Sequence, residues 1–170
     1  MIDENRLLEK VLKPVYLDLN EKVLVWLDVS KIPWEEIWNR SRDLERIARA
    51  IETLEIRGAP AIGVAAALSL AVVALNSDAE NPQELVNELE KASQRLSRTR
   101  PTAVNLFWAL NRVMNKVRDA VNNNFDLDKI RRIVLEEALT IQKEDLESNI
   151  MIGRNGSQLI EDGDTILTHC

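Results

Sequence analysis

Two short β-branched runs stand near the start of the chain. Residues 15–19 and 23–27 are partly alternating and rich in valine and leucine, and Asn20, Glu21 and Lys22 separate them. Such a pair of runs around a short polar turn is typical of a β-hairpin. The pattern therefore predicts a hairpin near residues 15–27.

After residue 42 the apolar residues recur at helical spacing. This spacing predicts one helix over residues 42–54, a buried helix over the alanine-rich run 61–75, and another that is capped by Asn81 and ends near Ser97. A further helix is expected from Pro101 to the Asn-Asn-Asn break at 122–124, and another over 130–141. A last helix is expected from about Asp145, or from a restart after Gly153, to Ile160.

The end of the chain departs from this pattern. Residues 162–164 read Asp-Gly-Asp and predict a turn, and residues 165–168 then read as a short buried strand. A lone strand has no partners for its backbone groups. We therefore expect a mainly α N-terminal domain with a short β-hairpin over residues 1–162, and the first strand of an incomplete Rossmann-like α/β domain over 163–170.

Composition narrows the classes of protein. The chain has 170 residues, of which 45% are hydrophobic, and this fraction excludes a disordered protein. Its net charge of −6 gives no overall electrostatic attraction to nucleic acid or to an anionic membrane. The run 61–75 is shorter than the roughly 20 residues that cross a bilayer. With one cysteine and no basic-then-apolar leader in the sequence, a reduced, cytoplasmic protein is expected. The four tryptophans are expected in the core.

Arginines precede two of the predicted helix starts. Arg57 and Gly58 precede Ala59 and Pro60, and Arg98 and Arg100 precede Pro101. A cation at the positive end of a helix is unfavourable unless an anion lies between them. The pattern is therefore typical of a shared phosphate site, and the alternative is that each arginine pairs with a surface carboxylate.

The chain carries one histidine and one cysteine, which are adjacent. His169 and Cys170 follow the predicted terminal strand, at the edge where ligands of open α/β sheets bind. Neighbours on a strand point to opposite faces, so His169 is poorly placed to activate Cys170. Two such residues are also too few for a structural zinc site, so no metal site is predicted. A buried, inert thiol is the alternative for Cys170.

Three motifs together resemble one known family. Residues 56–67 read Ile-Arg-Gly-Ala-Pro-Ala-Ile-Gly-Val-Ala-Ala-Ala, residues 100–106 read Arg-Pro-Thr-Ala-Val-Asn-Leu, and residues 166–170 read Ile-Leu-Thr-His-Cys. In this order they resemble the methylthioribose-1-phosphate isomerase family. That family is related to the regulatory alpha, beta and delta subunits of eukaryotic translation initiation factor two B and to archaeal ribose-1,5-bisphosphate isomerase.

The resemblance implies a cofactor-free isomerase of methionine salvage that converts 5-methylthioribose 1-phosphate to 5-methylthioribulose 1-phosphate. It also implies a homodimer with a helical N-terminal domain and a Rossmann-like C-terminal portion. Arg57, Gly58, Ala59 and Arg100 would bind the sugar phosphate, and Cys170 would be the catalytic cysteine. The downstream aspartate that serves the family as its acid is not in this sequence, so activity is expected only with the C-terminal portion, in the same or a separate polypeptide.

Two other functions stay open from the sequence. One is a non-catalytic regulatory subunit that senses a sugar phosphate or nucleotide, and the other is a ribose-1,5-bisphosphate isomerase. Pro60 and Ala61, with the Arg-Pro-Thr-Ala-Val-Asn run, favour the methylthioribose-1-phosphate isomerase over both.

Overall fold

The computed structural model describes residues 13–167. These residues form three strands and five helices. In chain order the elements are β1 (Val15–Asp18), β2 (Val23–Leu27), β3 (Trp38–Ser41), α1 (Leu44–Glu52), α2 (Ala59–Asn76), α3 (Pro82–Ser97), α4 (Val104–Asn122) and α5 (Leu127–Ser157).

The strands form one antiparallel sheet in the order β1-β2-β3. The predicted hairpin is confirmed as β1 and β2, with Val15 opposite Trp26. The third strand, β3, was not expected from the sequence, because its four residues are mostly polar and half-exposed at the edge of the sheet. The central strand β2 is buried along its whole length, and the sheet packs against α2 through β1 and β2.

Helix α2 is the centre of the fold. It packs most extensively against α4 and α5 and also contacts α3 and the sheet, so a helix without a polar face is buried here as predicted. Its mean hydropathy of 1.9 over 18 residues would also suit a membrane span. The surrounding elements bury 67% of that window, as in the core helix of a globular domain.

The predicted start of one helix and the predicted break between two others are wrong. Helix α4 begins at Val104 and not at Pro101, since residues 101–103 form a turn whose Ala103 amide donates to the Arg100 carbonyl at 3.0 Å. The two helices expected over 130–160 are one continuous helix, α5. A glycine costs a helix only about 1 kcal/mol relative to alanine, so Gly153 and Gly156 do not interrupt it.

The predicted strand 165–168 is not formed over the part that the structure describes. Residues 165–167 have no regular secondary structure, and Ile166 and Leu167 are 59% and 97% exposed. Within residues 13–167 the strands form the one sheet β1-β2-β3, and residues 165–167 do not pair with either of its edges, so their backbone groups lack the partners that would make them a strand. The Rossmann-like domain and the boundary at residue 162 therefore stay predictions.

Candidate functional site

The start of α2 carries the first predicted binding motif. Gly58 is the N-cap, with a φ of 104° that a residue with a side chain rarely adopts. Pro60 lies in the first turn, as predicted. Arg57, Gly58 and Ala59 are all exposed, so the first amides of α2 are open to a ligand.

The start of α4 carries the second motif. Arg100 precedes the turn that leads into the helix, and it is half-buried. Before it, Thr99 is buried and donates its hydroxyl to the Leu96 carbonyl at 2.6 Å. That bond fixes the end of α3 and therefore the position from which Arg100 extends.

These two helix starts differ from the other three. Asp43, Asn81 and Asp126 each cap their helices by accepting a backbone N–H, and each of those helices has an acidic residue in its first turn. The starts of α2 and α4 have no side-chain cap and no acidic residue in the first turn. Their free N–H groups therefore keep an uncompensated positive potential.

A close contact between Gly63 and Asn105 brings the two helix starts together. A Cβ added at Gly63 would lie 2.9 Å from the Asn105 carbonyl oxygen, closer than real Cβ atoms approach. Gly63 is therefore required for close backbone approach, although its own conformation is helical. Because Gly63 lies early in α2 and Asn105 is the second residue of α4, the two positive ends are neighbours.

Arg57 and Arg100, the two arginines predicted to bind the phosphate, form no ion pair with a carboxylate among residues 13–167. The ion pairs in this part of the chain use other arginines, such as Arg46, Arg95 and Arg112. In addition, the Nη1 atom of Arg100 is buried and has no hydrogen-bond partner among the described residues. Burying a guanidinium nitrogen without a hydrogen-bond acceptor destabilises the folded state by about 1–3 kcal/mol. A bound anion would supply the acceptor and remove this penalty.

Two cavities flank the start of α2 and share Val64 and Asp145 as lining residues. The first has a volume of about 450 Å³ and lies against both helix starts. The second, of about 370 Å³, lies between α2, α5 and the start of β1. The first cavity is lined by Pro60, Gly63, Val64, Val104, Asn105, Trp108, Ile141, Glu144, Asp145 and Ser148. The second is lined by Lys13, Pro14, Val15, Ala61, Val64, Leu139, Gln142, Lys143, Asp145, Leu146 and Asn149.

The acidic residues of α5 near these cavities have different partners. Glu144 forms an ion pair with Arg112, which holds the pKa of the Glu144 carboxyl below its usual range. Glu147 lies 3.5 Å from the Lys143 ammonium. Asp145 forms no ion pair among residues 13–167, and burial raises the pKa of its carboxyl. Of these three carboxyl groups, that of Asp145 is thus the one that no cation of the described part of the chain neutralises.

The sequence singled out some of these residues and missed others. Arg57, Gly58, Ala59 and Arg100 lie at the two uncapped helix starts, whereas His169 and Cys170 lie outside the described residues. Trp108 lines the first cavity and is 49% exposed, so the expectation that all four tryptophans are core residues is wrong. Trp26 is fully buried, and Trp34 is 88% exposed. A glycine inside an apolar helix was the available signal for Gly63.

A comparison with protein families places these motifs in a known group. Residues 55–170 match the model described as the initiation factor 2 subunit family. The chain belongs to this family. The matched segment contains both arginine motifs and both helix starts.

Proteins that resemble this chain include named isomerases. The chain is 48% identical over 158 residues to a putative methylthioribose-1-phosphate isomerase of Aeropyrum pernix, covering 93% of this chain and 42% of that protein. It is 44% identical over 154 residues to methylthioribose-1-phosphate isomerase of Geotalea uraniireducens, covering 91% of this chain and 44% of that protein. The resemblance drawn from the three motifs is confirmed.

Two solved structures have the same fold as the described residues. The crystal structure of 5-methylthioribose 1-phosphate isomerase from Pyrococcus horikoshii has a TM-score of 0.87 and 37% identity, covering 93% of this chain and 43% of that one. The delta subunit of translation initiation factor 2B from A. fulgidus has a TM-score of 0.79 and 34% identity, covering 91% and 43%. The chain therefore spans less than half the length of these relatives.

Proposed function

We propose that this chain is the N-terminal portion of an aldose-ketose isomerase that converts 5-methylthioribose 1-phosphate to 5-methylthioribulose 1-phosphate in methionine salvage. The observation that carries the proposal is the juxtaposition of two uncapped helix starts, each preceded by an arginine without a carboxylate partner among the described residues. The names of the similar proteins supply the substrate.

The phosphate would lie between the starts of α2 and α4. There the first amides of both helices donate hydrogen bonds to its oxygens, and the Arg57 and Arg100 guanidinium groups neutralise its charge. Binding would give the buried Nη1 atom of Arg100 the acceptor that it lacks. The phosphate of this substrate is attached to the anomeric carbon, so holding it also fixes the carbon to which hydrogen must move.

The chemical steps would need residues beyond the two helix starts. The phosphate ester on the anomeric carbon prevents spontaneous ring opening, so an acid must assist before hydrogen moves between C2 and C1. We propose Cys170 as the catalytic cysteine, acting as a thiol in an apolar pocket that the C-terminal portion completes. No cofactor is needed for this isomerisation, because the substrate and the product are at the same oxidation level.

We also propose that the Rossmann-like C-terminal portion, in the same or a separate polypeptide, covers the apolar surface beside the site. Val104 and Trp108 on α4 are 78% and 49% exposed, and Ile152 on α5 is 67% exposed. A concentration of exposed apolar side chains next to a polar site is typical of an interface. The complete enzyme would be a homodimer in the cytoplasm.

Phosphate affinity tests the binding half of the proposal. NMR titration of the 170-residue chain with inorganic phosphate is expected to show binding that Arg100→Ala weakens about 10–100-fold, the effect of losing a charged hydrogen bond. Arg118→Ala is the matched control, since Arg118 is exposed and pairs with Asn115 farther along α4. Equal affinity in the Arg100→Ala and Arg118→Ala variants would contradict a phosphate site at the helix starts.

Turnover tests the catalytic half. Mixed with the C-terminal portion of the Aeropyrum pernix relative, the chain is expected to convert 5-methylthioribose 1-phosphate to the ketose, and Cys170→Ala is expected to abolish the reaction. Full turnover by the alanine variant would reject Cys170 as the catalytic residue.

A non-catalytic, sugar-phosphate-sensing subunit is the second candidate, and the structural similarity to the initiation factor delta subunit favours it. Tight binding of the sugar phosphate without turnover in the mixture described above would support this alternative over the isomerase.

A further inference from the structure

Asp145 lies on the wall that separates the two cavities at the start of α2. It lines the cavity that Pro60 at the start of α2 and Val104 and Asn105 at the start of α4 also line, and it lines the second cavity, toward β1. Its backbone belongs to α5, a long regular helix, so its position is fixed by packing against α2 and not by a loop. One carboxyl group is therefore held within the cavity that adjoins the proposed phosphate site.

The neighbours of Asp145 on α5 have their charges compensated. Glu144 is bound by the Arg112 guanidinium, and Glu147 by the Lys143 ammonium one helical turn away. Asp145 has no such cation among the described residues. Within residues 13–167 its side chain accepts one hydrogen bond, from Asn149 Nδ2 at 3.3 Å. A carboxyl group can accept about four hydrogen bonds, so Asp145 keeps free capacity toward the cavity.

Burial raises the pKa of the Asp145 carboxyl, against the opposing effect of Asn149. The fold thus holds a partly desolvated acid that no ion pair stabilises in the part of the chain that the structure describes. Such a group is destabilising unless something in the cavity binds it. A sugar hydroxyl is suited to that place, because it donates to a carboxylate and accepts from a carboxylic acid.

We infer that Asp145 binds a hydroxyl group of the sugar whose phosphate is held at the starts of α2 and α4. The inference rests on the proposed function, because it takes the phosphate site as the anchor of the ligand. It assigns to α5 a substrate-binding role that the three motifs of the sequence do not indicate. Asn149 is a positioning residue in this arrangement, since it orients the carboxyl through its amide.

Comparing two ligands separates this role from the phosphate site. Inorganic phosphate reports only on the helix starts, whereas 5-methylthioribose 1-phosphate adds the sugar hydroxyls. In NMR titrations of the 170-residue chain, Asp145→Ala is expected to weaken the affinity for the sugar phosphate about tenfold, consistent with one lost hydrogen bond. The affinity for inorganic phosphate is expected to stay unchanged. Glu147→Ala is the matched control on the same helix, and it should change neither affinity.

Three other results of these titrations would contradict the inference, and one of them would also contradict the proposed function. If Asp145→Ala leaves the sugar phosphate affinity unchanged, the inference is wrong and the phosphate site stands. If Asp145→Ala weakens both ligands equally, Asp145 has a structural role only, and the inference is again wrong. If the unsubstituted chain binds neither ligand, the proposed function fails and the inference fails with it. The conservative variant Asp145→Asn should keep part of the preference for the sugar phosphate, because its amide still bonds a hydroxyl.

Discussion

Replacing Gly63 by alanine is expected to force the start of α2 away from the start of α4. The added Cβ would lie 2.9 Å from the carbonyl oxygen of Asn105 and 3.3 Å from its carbonyl carbon and its Cβ. These are mostly backbone atoms of a helix, which a side-chain rotation does not move. The two helices must therefore separate by several tenths of an ångström, and the proposed phosphate site must widen with them.

Gly153→Ala gives the matched reference for this cost. A Cβ at Gly153 meets nothing within 4 Å, so that variant gains only the helix propensity of alanine, about 1 kcal/mol. Gly63→Ala gains the same propensity but pays for overpacking, which costs about 1–3 kcal/mol in well-packed cores. The free energy of unfolding of Gly63→Ala should therefore lie about 1–3 kcal/mol below that of Gly153→Ala.

Urea denaturation of the two variants, with phosphate titration of each, measures both effects. Relative to the unsubstituted chain, Gly63→Ala is expected to have a lower urea midpoint of unfolding and a weaker affinity for phosphate. Gly153→Ala is expected to have a higher urea midpoint and an unchanged affinity for phosphate. A Gly63→Ala variant as stable as Gly153→Ala would refute the close contact. Reduced stability with unchanged phosphate affinity would refute its role in the site.

Three further substitutions separate stability from binding. Arg100→Ala should leave the free energy of unfolding unchanged or raised, because it removes a buried nitrogen that has no partner within residues 13–167; thermal unfolding measures this, and a clear loss of stability would indicate that Arg100 makes a structural bond. Asp145→Asn should raise stability at pH 7 by less than about 1 kcal/mol, since the folded-state pKa of this partly exposed acid lies above the unfolded one. Ionisation then destabilises the folded chain, and the gain should shrink as the pH falls through about 4 and vanish below about pH 3, where the acid is protonated in both states. Arg112→Leu should cost about 1–3 kcal/mol by leaving Glu137, whose side chain is 12% exposed, without its cation; the double variant with Glu137→Leu should recover most of that loss in urea denaturation.

Local patterns carry the elements that the sequence predicts correctly. The hairpin follows from two β-branched runs around a polar turn, and α3 follows from the Asn81 cap and the proline after it. Helix α2 is apolar on all sides, which required a central position. In each case the signal lies within a few neighbouring residues.

The elements that the sequence misses depend on contacts between distant residues. Strand β3 is polar and becomes a strand because β2 offers it an edge, with Leu24 opposite Ser41. Helix α5 is unbroken because the destabilising effect of its two glycines is smaller than the stabilisation that the rest of the helix provides. The late start of α4 follows from the turn at residues 101–103, which proline permits as readily as a first helical turn.

In the candidate site, too, the features that depend on local sequence are predicted and those that depend on contacts between distant residues are not. Both arginine motifs are visible in the sequence because charge at a helix start is a local property. That the two starts touch is not visible, since it depends on the crossing of α2 and α4 at Gly63 and Asn105. The position of Asp145 between two cavities likewise depends on how α5 packs against α2.

The central claim is that the starts of α2 and α4 hold one phosphate together. Backbone amide NMR during a phosphate titration tests it most directly, because the amides of Ala59 and Ala61 report on α2 and those of Val104 and Asn105 report on α4. We predict that both pairs shift with one shared Kd, and that Arg100→Ala weakens the response of both. Different Kd values for the two helices, or a response confined to one of them, would contradict the shared site.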